Sequence, residues 1–117
     1  MMANIRLMVV PILIGLGAFL AACGDSSALP EIPDDEELAL GQDVYTKNCS
    51  RCHLNNGGGG SGVQLNDGSV LASFPDEEPQ KALISEGKGR MPAFGELSDE
   101  QLDAVVRYTR EVLAEEK

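Results

Sequence analysis

The chain has 117 residues, of which 19 are Asp or Glu and 9 are Lys or Arg, giving a formal net charge of −10. This length allows one domain and excludes a large enzyme with a deep cleft between two domains. The acidic charge argues against nucleic-acid binding, which needs a surplus of Lys and Arg, and 43% apolar residues exclude a disordered acidic tail. With two Tyr, three Phe and no Trp, the protein alone offers little to fill a core, and three cysteines leave one thiol over after any pairing.

The first 22 residues have the features of a secretory signal peptide. A short stretch whose only charge is Arg6 precedes an uncharged apolar run at residues 7–20. As a helix this run would be about 21 Å long, which is shorter than the roughly 30 Å hydrocarbon core of a bilayer. The small residues Ala21 and Ala22 suit a cleavage site, so we expect residues 1–22 to be removed. A short membrane anchor that is never cut is the alternative.

Cys23 directly follows this segment. Residues 20–23 read Leu-Ala-Ala-Cys and resemble the bacterial lipobox, in which the cysteine is lipidated and becomes the new N-terminus. More than one acyl chain gives stable membrane anchoring, whereas an ordinary signal followed by a chance cysteine would leave the chain unanchored. Residues 23–36 are rich in Ser, Pro and acid, which predicts a lipid-anchored acidic linker ahead of a folded domain at residues 37–117.

The folded part is predicted to be all-α, with long loops. A first helix is expected to begin at residues 34–35, two Asp whose carboxylates cap free N–H groups. A short middle helix is expected at residues 79–86, ended by Gly87 in a left-handed conformation. Residues 98–101 read Ser-Asp-Glu-Gln, a capping box that starts a last helix reaching about residue 114. No segment shows convincing strand alternation.

Residues 49–53 read Cys-Ser-Arg-Cys-His, the signature of c-type haem attachment. The thiols of Cys49 and Cys52, three residues apart on one helical turn, can each add to one vinyl group of a porphyrin, and His53 then lies under the iron. A structural zinc site needs four ligands, which the mature chain offers only by including Cys23. A thioredoxin-like redox pair needs a βαβ context, and a simple disulfide leaves His53 without a role.

The segment after the cysteines, residues 54–62, reads LNNGGGGSG. It contains too many glycines to form a helix or a strand. A phosphate-binding loop of the Walker type would be the sharper interpretation, but the Gly-Lys-Ser/Thr ending is absent. We therefore expect a loop beside the cysteine motif.

Counting the histidines and methionines narrows the identity of the second iron ligand. His53 is the single histidine, so two histidines of this chain cannot bind the iron. Three of the four methionines lie within residues 1–22, which leaves Met91, held by Pro92 in an extended conformation within a Gly/Pro-rich loop. We expect His53 and Met91 to be the axial ligands, the pairing of electron-transfer cytochromes. A five-coordinate iron with Met91 nearby, or Met91 as core filler, is the alternative.

Residues 38–114 resemble a class I, mono-haem cytochrome c of the bacterial lipoprotein type. The matching residues are Gly41, Tyr45, the cysteine motif, Gly62, Leu65, Met91-Pro92-Ala93-Phe94 and Leu102 to Tyr108. The resemblance implies that the first and last helices cross at Gly41 and Tyr108, around one covalently attached haem c and its iron. The family commonly has a proline where this chain has Val63, whose carbonyl can still accept a hydrogen bond from His53.

The resemblance implies an electron carrier rather than an enzyme, with no small-molecule substrate. It would be lipid-anchored outside the cytoplasm and pass electrons between respiratory partners such as a terminal oxidase and a quinol-oxidising complex. Lys88, Arg90 and Arg51 would form a modest positive rim on the acidic body, or be ordinary solvated charges. A fixed haem subunit of an oxidase or reductase complex is the alternative. A haem sensor or peroxidase is a further alternative, although no second histidine is present.

Overall fold

The computed structural model describes residues 28–115, so the predicted signal peptide, Cys23 and the first part of the predicted linker lie outside the described residues. The described chain contains five α-helices and a closing 3₁₀ turn, and β-type pairing within it is limited to one isolated bridge. The elements are α1 Glu36–Asn48, α2 Ser50–His53, α3 Ser69–Ser73, α4 Glu77–Glu86, α5 Asp99–Glu111 and the 3₁₀ turn Leu113–Glu115. The all-α prediction is confirmed. Between residues 28 and 115 no helix has the length and apolarity to cross a membrane.

Both long helices begin at the caps that the sequence predicts. The Asp35 side chain accepts a hydrogen bond from the Leu38 N–H at 3.0 Å, at the start of α1. At the start of α5, the Ser98 hydroxyl accepts from the Gln101 N–H at 3.2 Å, and the Gln101 side chain accepts from the Ser98 N–H at 3.1 Å. These bonds satisfy N–H groups that have no partner within the helix.

Helices α1 and α5 cross in close contact because Gly41 has no side chain. A Cβ on Gly41 would collide with the Ala104 carbonyl oxygen and lie 2.8 Å from the Tyr108 Cβ. Beside this crossing the rings of Tyr45 and Tyr108 pack with centroids 5.4 Å apart and planes tilted by 50°. The buried core cluster around them consists of Val44, Tyr45, Ile84, Val105, Val106, Tyr108 and Leu113.

The middle and last helices differ from their predicted bounds. Helix α4 begins at Glu77, two residues before the predicted start at Pro79, because proline is tolerated in a first turn whose N–H groups have no helical acceptor. The residue after α4, Gly87, has φ +72° and ψ 170°. Its φ is positive, as predicted, but the prediction of a left-handed helical conformation was wrong because ψ is extended. Helix α5 ends at Glu111, and the 3₁₀ turn continues its course to Glu115.

Two short helices lie between the predicted ones. Helix α2 carries four of the five residues of the cysteine motif, which were predicted to lie on one helical turn. Helix α3 was not predicted and follows Gly68, whose φ is +80°. Helix α3 has five residues, of which only Val70 is buried, and it packs against α5 and the 3₁₀ turn. A helix this short shows no apolar periodicity in the sequence.

Residues 30–35, within the range 23–36 predicted as a linker, pack onto the domain and are here called the N-terminal strap. Pro30 is buried, and its carbonyl accepts a hydrogen bond from the Gln42 side chain at 2.8 Å. Ile32 packs against the core cluster. The folded unit therefore begins at Pro30.

One arginine joins the start of α1 to α5. The Arg107 guanidinium contacts Asp35 at 2.9 Å, Glu37 at 2.8 Å and Glu111 at 2.9 Å. The hydrogen bonds from Arg107, and then from the Leu38 N–H, lower the pKa of Asp35 below its ordinary value. Asp35 thus caps α1 and pairs with α5 in one position.

Candidate haem-binding site

The cysteine motif occupies one helical turn at the junction of α1 and α2. The Cys49 N–H donates to the Tyr45 carbonyl at 2.8 Å, and the N–H groups of Cys52 and His53 both donate to the Cys49 carbonyl at 3.0 Å. The two thiols and the imidazole are therefore brought together on one turn, as the spacing predicts.

A cavity of about 520 Å³ opens beside this turn, within the size range of cofactor sites. Cys49, Cys52, His53 and Met91 all line it, although Met91 is far from the others in the sequence. Much of its remaining wall is apolar. These wall residues include Leu83, Pro92 and Phe94.

The His53 ring is fixed by backbone on two sides. Its Nδ1 lies 2.7 Å from the Val63 carbonyl oxygen, which is the contact expected where the family has proline. Because a carbonyl can only accept, Nδ1 carries the hydrogen, and Nε2 of the neutral ring keeps its lone pair for a metal. A Cβ on Gly62 would lie 2.7–3.0 Å from three ring atoms, so only glycine lets the backbone approach the imidazole this closely.

The glycine-rich segment folds back onto α2 as a loop, residues 54–65, which we call the proximal loop. The Gly62 N–H donates to the Cys52 carbonyl at 2.8 Å, and the Gly59 N–H donates to the His53 carbonyl at 3.0 Å. Gly59 has φ +81°, a conformation that side chains rarely adopt. The glycines predicted as a loop thus hold the Val63 carbonyl beside the imidazole.

A tyrosine hydroxyl that sequence reasoning missed supports the start of this loop. Leu54 has φ +65°, the one positive φ of a non-glycine residue in the described chain. The Tyr45 hydroxyl donates to its carbonyl at 2.8 Å, while the Tyr45 ring is fully buried, which raises the pKa of the phenol. Tyr45 is among the residues that carry the family resemblance, but nothing in the sequence indicates a partner for its hydroxyl.

Met91 lies on a tight turn within residues 87–95, the methionine loop. The backbones of Lys88 and Met91 exchange two hydrogen bonds of 3.0 Å. A Cβ on Gly87 would lie 2.7 Å from both the Met91 carbonyl oxygen and the Ala93 nitrogen, so the loop folds tightly over a glycine. The turn directly follows α4, which fixes where Met91 enters the cavity.

Two contacts join the methionine loop to the rest of the domain. The Phe94 N–H donates to the Ile84 carbonyl of α4 at 3.0 Å. The Arg90 guanidinium donates to the Ser61 carbonyl of the proximal loop at 3.2 Å, so the methionine loop and the proximal loop meet in the wall of the cavity.

The cations divide sharply between the cavity and the rest of the surface. Arg51, Lys88 and Arg90 line the cavity, and none of them forms an ion pair within residues 28–115. Elsewhere in the described chain each cation has a carboxylate partner; these are Lys47, Lys81, Arg107 and Arg110. The three cations that the sequence offered either as a positive rim or as solvated charges thus line one cavity.

The donor atoms fit a covalently held haem. Cys49 and Cys52 are free thiols, and burial is the main cause that raises the pKa of Cys49 to about 11. Redox-active thiols have lowered pKa values instead, so the Cys49 thiol lacks the feature of a thioredoxin-like nucleophile. Two neighbouring thiols, an imidazole with a fixed Nδ1–H and a thioether around one largely apolar cavity are the groups that c-type haem requires.

The fold and the site define a small all-α haem protein of the c type. Residues 36–108 match the family model described as "Cytochrome C oxidase, cbb3-type, subunit III". The chain therefore belongs to the cytochrome c family, as a class I, mono-haem cytochrome c with covalently attached haem c. It is an electron carrier rather than an enzyme, and its partners are redox proteins.

Relatives named cytochrome c6 are similar to this chain. The protein of Bryopsis maxima is 38% identical over 80 residues, which cover 62% of this chain and 88% of that protein. The protein of Parathermosynechococcus lividus is 36% identical over 78 residues, which cover 62% of this chain and 86% of that protein. No solved structure matches the chain at a significant level.

Proposed function

We propose that the mature chain is a membrane-tethered, extracytoplasmic cytochrome that passes single electrons between respiratory redox partners. The observation that carries the proposal is one cavity lined by Cys49, Cys52, His53 and Met91, with the His53 Nδ1 held 2.7 Å from the Val63 carbonyl. When bound there, haem c supplies an iron centre that gains and loses one electron.

Each of these side chains has a separate task. Cys49 and Cys52 would hold the haem, each adding its thiol S–H across one vinyl group to give a thioether. His53, with its hydrogen kept on Nδ1, would offer Nε2 to the iron, and Met91 would offer its thioether sulfur. With two ligands from the chain, the iron would have no position open for oxygen or peroxide, and it would exchange electrons without forming a bond to a substrate.

The surrounding residues exclude water and guide docking. Leu83, Pro92 and Phe94 form an apolar part of the cavity wall. This part of the wall would keep water from the iron, and the exclusion of water would favour the reduced state of the iron. Arg51, Lys88 and Arg90 line the same cavity, are exposed and could meet an approaching partner. Such charges act more on the rate of association than on affinity.

Export and anchoring follow from the N-terminal sequence. In this proposal residues 1–22 are a signal peptide, Cys23 is lipidated, and the haem domain that follows lies in the periplasm or on the outer face of the cytoplasmic membrane. Replacing Cys23 with Ala should release the protein into soluble fractions. Continued membrane retention of that variant would count against lipidation.

A second candidate is a fixed haem subunit of an oxidase complex. It is favoured by the description of the matching family, which names an oxidase subunit. Extraction in a mild detergent separates the two functions: a fixed subunit co-purifies with a large membrane complex in constant ratio, whereas a carrier purifies alone.

The attachment of haem is tested by a pyridine haemochrome spectrum of the mature protein. We expect the c-type spectrum, with a haem that resists acid-acetone extraction because both thiols are bonded to it. Replacing Cys49 and Cys52 with Ser should abolish this resistance. Extractable haem in the unchanged protein would refute the assignment of the two cysteines.

The role of Met91 is tested by Met91→Ala. The variant should lose the far-red charge-transfer band of Met-ligated ferric haem and have a lower reduction potential, because a thioether ligand favours ferrous iron. Pro92→Ala is a matched control in the same loop and should keep the band. An unchanged spectrum of Met91→Ala would remove Met91 from the iron.

A further inference from the structure

The N-terminal strap begins the packed part of the chain closer in sequence to Cys23 than the first helix does. Pro30 is buried and its carbonyl accepts the Gln42 side-chain amide at 2.8 Å, while Ile32 packs against the core cluster. Leu29, the residue before the strap, is 45% exposed. The packed chain therefore starts at Pro30 and not at the first helix.

We infer that the strap gives the haem domain a short reach, so that its electron partner is a membrane-bound redox protein with its docking site close to the bilayer surface. The inference rests on the proposed function, because it takes Cys23 as the lipid anchor. The packing of the strap is independent of that anchor.

The reach follows from the covalent chain and the helix geometry. Seven peptide units separate Cys23 from Pro30 and span at most about 25 Å when fully extended. Pro30 lies beside Gln42, which is seven residues before Cys49, or about 10 Å along the axis of α1. These two lengths add to about 35 Å, which is the approximate limit on the distance between the anchor and Cys49.

A chain with a free strap would reach much further. It would pivot at Asp35, twelve peptide units and at most about 43 Å from Cys23. Asp35 lies at the start of α1, about 20 Å along the axis from Cys49. The limit would then exceed about 60 Å, so the packing of the strap roughly halves the reach. A shorter tether raises the effective concentration of the haem at docking sites near the anchor. It also puts distant docking sites beyond the reach of the haem.

The experiment compares two substitutions that add the same charge. Ile32→Asp places a carboxylate against the core and should release the strap, whereas Leu29→Asp adds it at an exposed position. Lipidated, haem-loaded full-length protein is bound to neutral phosphatidylcholine vesicles that contain a headgroup-labelled fluorescent lipid. Because the haem quenches the dye by energy transfer, the quenching reports the height of the haem above the headgroups.

We expect Leu29→Asp to quench as the parent does and Ile32→Asp to quench severalfold less. An insertion of about twelve Gly and Ser residues after Ser27 should also reduce quenching, because it lengthens the tether directly. If the insertion reduces quenching and Ile32→Asp does not, the strap does not limit the reach and the inference is overturned. Gln42→Ala, which removes only the hydrogen bond to Pro30, replaces Ile32→Asp if that variant does not fold.

Two further readouts separate the reach from the anchor. Ile32→Asp should slow the oxidation of reduced protein by native membranes severalfold and leave its reaction with ferricyanide unchanged; equal rates with membranes would contradict the partner assigned here. Cleavage by a Glu-specific protease after Glu31 should be slow in the parent and in Cys23→Ala, and fast in Ile32→Asp, because a packed strap must open before it can be cut. Parent protein that does not bind vesicles would refute the anchor, and the reach with it, while slow cleavage of Cys23→Ala would still establish the packed strap.

Discussion

The α1–α5 crossing and the haem cavity lie at neighbouring parts of one small domain, yet they are built differently. At the crossing, side chains meet side chains and backbone: Gly41 lies against Ala104, and Tyr45 packs on Tyr108. The cavity is bounded largely by two loops whose shapes depend on glycines and backbone hydrogen bonds.

This contrast separates what the protein packs by itself from what it packs around its cofactor. The crossing depends on the sizes of side chains, because close-packed interiors tolerate little added volume. The cavity depends on backbone conformation, because its two loops place the Val63 carbonyl beside the His53 ring and Met91 in the cavity wall. The low aromatic content of the chain is consistent with a haem that supplies part of the apolar volume.

The largest effect is expected at the crossing. Gly41→Ala adds a Cβ that collides with the Ala104 backbone, so the helices must separate, at a cost of about 3 kcal/mol in the free energy of unfolding. Denaturant unfolding of the haem-loaded protein measures it. Gly95→Ala is the matched control, since its Cβ finds only the Ser85 carbonyl oxygen at 3.5 Å. Equal unfolding midpoints for the two variants would contradict the packing described for Gly41.

The same change in the cavity should act on the site more than on stability. Gly62→Ala places a Cβ 2.7–3.0 Å from the His53 ring, so the imidazole must tilt and weaken its bond to the Val63 carbonyl. We expect a stability loss of about 1–2 kcal/mol and a shifted reduction potential with a perturbed haem spectrum. With Gly95→Ala as reference again, a normal potential in Gly62→Ala would show that the ring is not held by this contact.

A smaller effect is expected where the two regions meet. Tyr45→Phe keeps the buried ring but removes the hydroxyl that donates to the Leu54 carbonyl, and should cost about 1–1.5 kcal/mol. Amide exchange in the proximal loop should become faster, while exchange in α5 changes little. Thr46→Val, which removes an exposed hydroxyl from the same helix, is the control and should stay within about 0.5 kcal/mol of the parent.

The smallest effect is expected in the pH dependence of stability, through the ion pair between Asp35 and Arg107 that joins the start of α1 to α5. The pKa of Asp35 is lowered by Arg107, so its stabilising effect is complete above the unfolded-state pKa and is lost as pH falls through the lower folded pKa. Asp35→Asn keeps a cap but loses the ion pair, and should lower the Tm at neutral pH. The difference in Tm should shrink below about pH 4. A constant difference down to pH 2 would show that the ion pair with Arg107 is not its cause.

The parts of the fold that follow from local chemistry were predictable from the sequence. Asp35, Ser98 and Gln101 cap their helices as expected, because a cap involves residues within one turn. The thiols and imidazole fall on one turn for the same reason. Their spacing alone determines that arrangement, so the haem signature could be interpreted before any tertiary contact was known.

The remaining features depend on contacts between distant residues. The strap has the Pro-rich, acidic composition of a linker, and only Gln42 and the core show that it is packed. The hydrogen bond from the Tyr45 hydroxyl to the Leu54 carbonyl depends on the positive φ of Leu54, which a leucine in the sequence does not predict. The sequence does not show which cations form ion pairs. Only the fold shows that, within the part of the chain that the structure describes, Lys81 and Arg107 contact carboxylates whereas Arg51, Lys88 and Arg90 do not.

At position 45 the demands of folding and of the haem site fall on different atoms of one side chain. The ring fills the core, and the hydroxyl holds the turn that leaves the cysteine motif. Any substitution must therefore lose either the buried ring or the hydroxyl. Phenylalanine keeps the volume of the ring, and a smaller polar residue keeps a hydrogen-bond donor without that volume. We expect random mutagenesis to tolerate few residues here, and selection for expression and selection for electron transfer to rank them differently.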